Sequence, residues 1–234
     1  MDYKDFLAGQ TEKNFWFNSK KKLINILLNK IGQKKLKILD IGAGTGIDLD
    51  IINQFGEVYL IDINKKALDL IPKNMCKEKK ICTITKITYP DNYFDVVCSF
   101  DVFEHINDDI KAVSEVRRVL KKGGFLIFTV PAFNFLYSAH DKAALHYRRY
   151  SRKSLLNLLK LFINLEISYW NYFLFFPLSI IRILKKKSKP KLDYLNLPRT
   201  IERIFSMLLN IENSLISKNY KLPLGLSLIG SCSK

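Results

Sequence analysis

Apolar positions first recur at helical spacing. Leu23, Ile26, Leu27 and Ile31 fall on one face, behind the aromatic cluster Phe15-Trp16-Phe17. The pattern then shortens into continuous apolar runs of strand length. Lys37-Ile38-Leu39-Asp40-Ile41 predicts a buried strand, stopped by Gly42-Ala43-Gly44-Thr45-Gly46, and a helix follows through Leu49, Ile52 and Phe55. Val58-Tyr59-Leu60-Ile61 predicts a second strand ending in Asp62, and Ala67, Leu68 and Ile71 a second crossover helix. Ile81 to Ile84 is a weak third strand and Phe94 to Phe100 a stronger fourth. A helix capped by Asp108 or Asp109 carries Ile110, Val113, Val116 and Leu120, with Gly123-Gly124 at its end. Phe125 to Val130 is a fifth strand, closed by Pro131. Strands alternating with helices in this way predict a parallel α/β sheet with crossover helices.

After Pro131 the pattern changes. A loop runs to Tyr150, and Ser151 caps a helix with Leu155, Leu158, Leu159 and Phe162. Leu165 to Trp170 reads as a sixth strand, 174–221 as a mainly helical, Lys-rich interruption, and Gly225 to Ser231 as a seventh strand. The expected organisation is one domain over 1–234. Within it, 1–32 forms an N-terminal helical lid and 33–173 the core with its acceptor loop. A basic helical insertion (174–221) and the final strand (222–234) complete the chain.

Charge divides the chain in two. Residues 1–141 hold 21 Lys and Arg against 18 Asp and Glu, whereas 142–234 hold 17 against 4. The near-neutral front suits chemistry, and the basic back suits contact with something anionic. Cys76, Cys82, Cys98 and Cys232 form no Cys-x-x-Cys pair and only three histidines are present, so no metal site is expected. Cysteines in apolar company, and a polar start without a signal peptide, point to a cytoplasmic protein. The longest uncharged stretch, Ile167 to Ile181, is shorter than the ~20 apolar residues of a spanning helix, which leaves a position on the inner membrane surface open.

In an open parallel sheet, ligands bind beyond the carboxyl ends of the strands. The first such end is Asp40 followed by the Gly42–Gly46 turn, where glycine lets the backbone turn sharply and approach a ligand. A dinucleotide turn has the spacing Gly-x-Gly-x-x-Gly. Here its last position is Ile47 and the third glycine, Gly46, comes one residue early, which disfavours a nicotinamide cofactor. Asp62, at the second strand end, stands twenty residues beyond Gly42, a spacing suited to an acid that accepts ribose hydroxyls.

Ile38–Gly46 with Asp62, then Phe94-Asp95-Val96-Val97, Asp101-Val102-Phe103-Glu104-His105 and Arg118 through Gly124, resemble the class I S-adenosylmethionine-dependent methyltransferases. Three further stretches are similar to a bacterial small-molecule branch of them: Glu12–Phe17, Asp141 through His146-Tyr147-Arg148-Arg149-Tyr150, and Leu222–Leu228. The resemblance implies a Rossmann-like, seven-stranded, mostly parallel sheet with helices on both faces and an antiparallel last strand. It implies that Asp40, Gly42, Ala43, Gly44 and Gly46 hold the amino-acid part of S-adenosyl-L-methionine, and that Asp62, beside Ile63, holds the ribose. Adenine contact falls at Thr83 and Ile84, where the family usually places an Asp, and Asp101 lies near the methionine end.

Methyl transfer needs an aligned nucleophile and, for some acceptors, a base, for which His105, His140 and His146 are the candidates. His105 reads equally well as a packed or capping residue, and His140, next to Asp141, as a carboxylate-oriented imidazole. Arg148 and Arg149, with Asp141, Tyr150 and Trp16, are the candidates for holding an anionic acceptor. In the back third, aromatic and aliphatic bulk over 172–184 runs into Lys185–Lys187, Lys189 and Lys191. That order suits an anionic membrane surface and a small or lipid-linked acceptor; the competing arrangement buries the helices against each other or in a homodimer. Nucleic acid is the less favoured partner, because the aromatics do not interleave with Lys and Arg. The sequence therefore predicts a methyltransferase for a small or lipid-linked acceptor. An RNA methyltransferase and a non-catalytic interaction module are the alternatives.

Overall fold

Leu36–Ile41 (β1), Gly56–Asp62 (β2), Glu78–Ile81 (β3), Phe94–Phe100 (β4), Leu120–Pro131 (β5), Ile163–Trp170 (β6) and Ser227–Ser233 (β7) form one sheet in the order β3-β2-β1-β4-β5-β7-β6. The computed structural model describes residues 14–190 and 198–234. Glu12 and Lys13, the first thirteen residues of the expected lid, and 191–197 of the expected insertion lie outside the described residues. β1 to β5 pair in parallel. β7 runs antiparallel to both β5 and β6, so the reversed last strand expected from the resemblance is present.

The helices are Phe15–Asn29 (α1), Leu49–Ile52 (α2), Lys65–Asp69 (α3), Asp109–Val119 (α4), Ala139–Ala143 (α5), Arg152–Leu158 (α6), Phe175–Leu184 (α7) and Arg199–Ser217 (α8). Strand pleating sends alternate side chains of β1 and β4 to opposite faces. Leu39, Ile41 and Val97 meet Val113 and Val116 of α4 and Leu155 of α6. Ile38, Val96 and Cys98 meet Leu23 and Leu27 of α1 and Leu209 and Ile216 of α8. The central strands are thus covered on both sides, which accounts for their nearly continuous apolar sequences.

Local chemistry moves several boundaries from their expected places. The third strand ends at Ile81, before Thr83 and Ile84. α4, capped by Asp108 Oδ1 accepting from Lys111 N–H (3.0 Å), stops at Val119, because Leu120 already pairs with Phe94 in the sheet. Gly123-Gly124 therefore lies within β5 rather than at a helix end. Gly123 has φ +76, and the register shifts between Phe94 and Val96.

The helices of the expected insertion do not simply cover each other. α8 packs along α1. Trp170 Nε1 donates to Asn213 Oδ1 (3.0 Å), and Asn213 Nδ2 donates to the Ser19 carbonyl (2.9 Å). Glu212, fully buried, accepts the backbone N–H groups of Asn171 (2.8 Å) and Phe173 (3.0 Å). These bonds fix where the chain leaves β6, and therefore where α7 lies.

Candidate active site

Strand order reverses on either side of β1, and the crevice beyond its carboxyl end opens into a cavity of about 720 Å³. Gly42 (φ +65) turns the chain there; a Cβ on it would lie 2.8 Å from Val102, so only glycine fits. Gly44 (φ +54) has open space where a Cβ would stand, and its N–H donates to Asp62 Oδ2 (2.8 Å). Asn64 N–H donates to Asp62 Oδ1 (2.7 Å). Asp62 is thus held by two backbone donors, while each carboxylate oxygen keeps further acceptor capacity toward the cavity. Asp40, Ala43 and Ile63 also line this end.

Two residues expected here face elsewhere. A Cβ on Gly46 would meet Leu49 (2.6 Å) and Ile71 (3.1 Å), so Gly46 permits close packing of the turn and does not line the cavity. Thr83, just past the end of β3, is exposed. Its hydroxyl lies 3.0 Å from that of Thr85 and accepts Thr85 N–H (3.3 Å), while Cys82 and Ile84 on either side line the cavity.

The cavity floor is acidic. Asp40, Asp48, Asp101 and Glu104 line it, with Lys20 of α1 among them. Lys20 Nζ bonds Asp101 Oδ2 (2.7 Å), and Thr129 Oγ1 donates to Asp101 Oδ1 (3.0 Å). Burial alone would raise the Asp101 carboxyl, but Lys20 more than offsets it and Asp101 sits below the usual range. Burial pushes Asp40 and Glu104 well up. Glu104 Oε2 has no hydrogen-bond partner among the described residues although it is buried. Four carboxyl groups against one ammonium, with one buried oxygen unsatisfied, fit a cationic ligand.

A second polar group beside the cavity is built around Asp141, which is fully buried. Its Oδ2 accepts from Ser138 N–H (2.9 Å) and Ser138 Oγ (3.2 Å), closing a capping box at the start of α5. Its Oδ1 lies 2.9 Å from His146 Nδ1 and 2.8 Å from Arg149 Nε, and Arg182 Nη1 is 3.6 Å from Oδ2. Burial raises the Asp141 carboxyl, but the His146 bond and the charges of Arg149 and Arg182 reverse this and hold it well below the ordinary range. A hydrogen bond donated by Nδ1 to Asp141 would leave Nε2 of His146, which lines the cavity, as an acceptor.

The imidazole bonded to Asp141 Oδ1 is that of His146, five residues further along the chain. The ring centroid of His105 is 4.6 Å and that of His140 6.5 Å from that of His146, and all three rings line the cavity. One ligand atom each from Glu104, His105 and His146 falls within 4.8 Å of the others, a convergence that the separate sequence positions do not reveal.

The arginine–tyrosine cluster is divided. Arg149 lines the cavity but spends its donors on Asp141 and the Ala132 carbonyl (3.1 Å). Arg148 bonds Asp109 (2.9 Å) and the Asn107 carbonyl (2.6 Å), and Tyr150 donates to Asp109 Oδ2 (2.8 Å). Neither lines the cavity. They fasten the segment that follows β5 to the start of α4. Trp16 does line it, its ring 5.3 Å from that of Trp170.

Residues 39–128 match the family model described as "Methyltransferase domain". Over these residues the chain is similar to a methyltransferase domain. An uncharacterized protein of Methanocaldococcus jannaschii is 40% identical over 109 residues, which are 46% of this chain and 46% of that protein. A ubiquinone/menaquinone biosynthesis C-methyltransferase of Burkholderia cenocepacia is 38% identical over 100 residues, 38% of this chain and 40% of that enzyme. The chain thus matches less than half the length of these curated relatives. Among solved structures, a SAM-dependent methyltransferase from Archaeoglobus fulgidus superposes with TM-score 0.63 at 17% identity, covering 100% of each chain. Phosphoethanolamine N-methyltransferase 2 of Haemonchus contortus, in complex with S-adenosyl-L-methionine, gives 0.58 at 18% identity, over 89% of this chain and 51% of that one. The fold is that of the class I methyltransferases.

Among the residues lining the cavity, Lys20, Asp48 and Arg182 were not singled out from sequence, and Lys185 was named only as part of the lysine run. Lys20 was detectable, since it falls on the same face of α1 as Leu23, Ile24 and Leu27. Arg182 and Lys185 lie in a lysine-rich stretch, where nothing local separates a cavity-lining cation from a solvated one.

The buried histidines give a pH prediction. Burial holds His105 and His140 near 4, below their ordinary value of about 6.5. Their folded values are depressed, so their contribution is fully present above about pH 6.5 and is lost as pH falls toward 4. At most about 3 kcal/mol per histidine is at stake. Because Asp40 and Glu104 shift in the opposing sense, the expected signal is a difference. Chemical denaturation of His140→Gln from pH 4 to 7 should show a shallower fall than wild type; parallel curves would disprove the assignment.

Proposed function

We propose that the chain is an S-adenosylmethionine-dependent methyltransferase whose acceptor nucleophile (oxygen, nitrogen or carbon) meets the methyl group beside His146. One observation carries this reading: a single cavity is lined by a glycine turn, Asp62, a buried acid cluster and the imidazole of His146, which Asp141 bonds from behind.

When bound, the cofactor supplies an electrophilic methyl on a sulfonium sulfur, whose departure needs no acid. Gly42–Gly44 and Asp40 receive its amino-acid part, and Asp62 its ribose hydroxyls. Cys82 and Ile84, rather than Thr83, flank the adenine. Asp101, held below the usual carboxylate range beside Lys20, places negative charge where a sulfonium is favoured over a neutral sulfide. His146 Nε2 takes the proton from an acceptor that carries one, and ionised Asp141 stabilises the resulting imidazolium. Trp16 and α1 cover the site and exclude water. Arg182 and Lys185 bring positive charge to the lining of the same cavity. Their positions favour an anionic acceptor.

Titration calorimetry with S-adenosylhomocysteine, followed by labelled methyl transfer into fractionated small molecules, lipids and RNA, tests this. Cofactor binding with label in the first two fractions is expected, and His146→Ala should cut transfer by about a hundredfold or more while binding stays within threefold. No binding refutes the cofactor assignment. Label confined to RNA, or none anywhere, would favour the nucleic-acid or non-catalytic alternative.

A further inference from the structure

α7 has two working faces. At 100° per residue, Leu178, Ile181, Arg182 and Lys185 fall on one side, and these line the cavity. Phe176, Ile180, Ile183 and Leu184 fall on the opposite side, and they are 61%, 60%, 51% and 77% exposed. Phe175 and Ser179, between the two faces, are buried and anchor the helix, with the Phe175 ring 5.6 Å from that of Phe133. The outward face is therefore not a half-formed core contact. It is four large apolar side chains held toward solvent by a fixed helix, in one continuous strip.

The charge next to this strip is of one sign. Lys185, Lys186, Lys187 and Lys189 follow directly and are exposed, and no acid occurs between Glu166 and Lys189. An apolar helix face followed by a lysine run complements the acyl–headgroup boundary of an anionic bilayer. No helix of the described residues is long and apolar enough to cross a membrane, so the contact is with the surface. A protein partner would need acids matched to each lysine, whereas a lipid surface supplies a continuous negative field.

We infer that the outer face of α7 docks on an anionic membrane, and that α7 is then the wall between bilayer and cavity. Phe176, Ile180, Ile183 and Leu184 enter the interface, and Lys186, Lys187 and Lys189 lie along the headgroups. Taken with the function proposed above, on which this consequence rests, the acceptor is a lipid-borne headgroup that reaches the cavity past Arg182 and Lys185.

Flotation with vesicles of 70% phosphatidylcholine and 30% phosphatidylglycerol tests the docking without using catalysis. Wild type should float with these vesicles and remain in the bottom fraction with phosphatidylcholine alone. Lys186→Ala/Lys187→Ala/Lys189→Ala should weaken binding by roughly a hundredfold, and Phe176→Ser/Ile180→Ser should abolish it. Lys122→Ala/Lys153→Ala/Lys160→Ala, which removes as much charge from exposed sites elsewhere, should float like wild type. Unchanged S-adenosylhomocysteine affinity shows that each variant is folded, and separates failure of docking from failure of the cofactor reading. The inference is overturned if wild type does not float, or if both lysine triples lose binding equally. It is also overturned if light scattering shows a dimer that Phe176→Ser/Ile180→Ser dissociates, which would assign the face to a second copy.

Discussion

Asp141→Asn should lower methyl transfer by about a hundred- to ten-thousandfold, the range expected when a general base loses its proton-transfer competence. The carboxylate has three partners that an amide cannot serve together: the Ser138 cap, His146 Nδ1 and Arg149 Nε. An amide in its place offers one acceptor oxygen and no charge. His146 then loses the partner that fixes its tautomer, and Nε2 no longer presents a reliable lone pair to the cavity. Arg149, 5% exposed, is left as a buried guanidinium without its counter-charge. Removing one partner of a buried pair costs about 3–5 kcal/mol, so the unfolding free energy should fall by that order. The two effects separate experimentally. Turnover is measured well below the variant's melting transition, with S-adenosylhomocysteine affinity as the index of an intact cofactor end. His146→Gln should reproduce the loss of turnover with a much smaller loss of stability, because Asp141 and Arg149 still pair. A folded Asp141→Asn protein that turns over within threefold of wild type would remove the pair from the chemistry.

The fold was legible because its signals are local and mutually consistent. Buried parallel strands demand continuous apolar runs, and the Gly42–Gly46 turn and Asp62 sit at strand ends where the topology must place them. The polar group around Asp141 was only half legible. His146, Arg148, Arg149 and Tyr150 are four neighbours in sequence, yet they divide between cavity and scaffold. Which does which depends on partners far away in the chain: Asp109 for Arg148 and Tyr150, and the Ala132 carbonyl for Arg149. No spacing rule encodes such pairings. The same holds for α7. Its period was visible, but which side meets the cavity is set by Glu212 fixing the exit from β6, a contact spanning about forty residues. Thr83 illustrates the boundary problem. Moving the end of β3 by a few residues turned a supposed ligand out to solvent, where Thr85 offers it a local bond.

Asp62→Ala is expected to weaken S-adenosylhomocysteine binding by roughly a hundred- to ten-thousandfold while barely changing global stability. Each hydrogen bond to a charged group contributes about 1.5–3 kcal/mol, and a carboxylate that accepts two ribose hydroxyls forfeits both. A second loss is geometric. Asp62 also accepts the N–H of Gly44 and of Asn64, and so holds the glycine turn against the end of β2. Without it, Gly44 at φ +54 has no side-chain partner, and the turn must be ordered by the ligand at each binding event. Stability should change little, because Asp62 is only partly buried and forms no salt bridge with any described residue, while the sheet register around Ile61 is intact. The diagnostic comparison is Asp62→Asn. The amide oxygen can still accept from one backbone donor and partly order the turn, so Asn should recover part of the affinity that Ala loses. If Asn and Ala are equally impaired, charge on the ribose hydroxyls dominates. If Ala binds within threefold of wild type, Asp62 serves only to cap the turn, and the cofactor's ribose must be held elsewhere in the cavity.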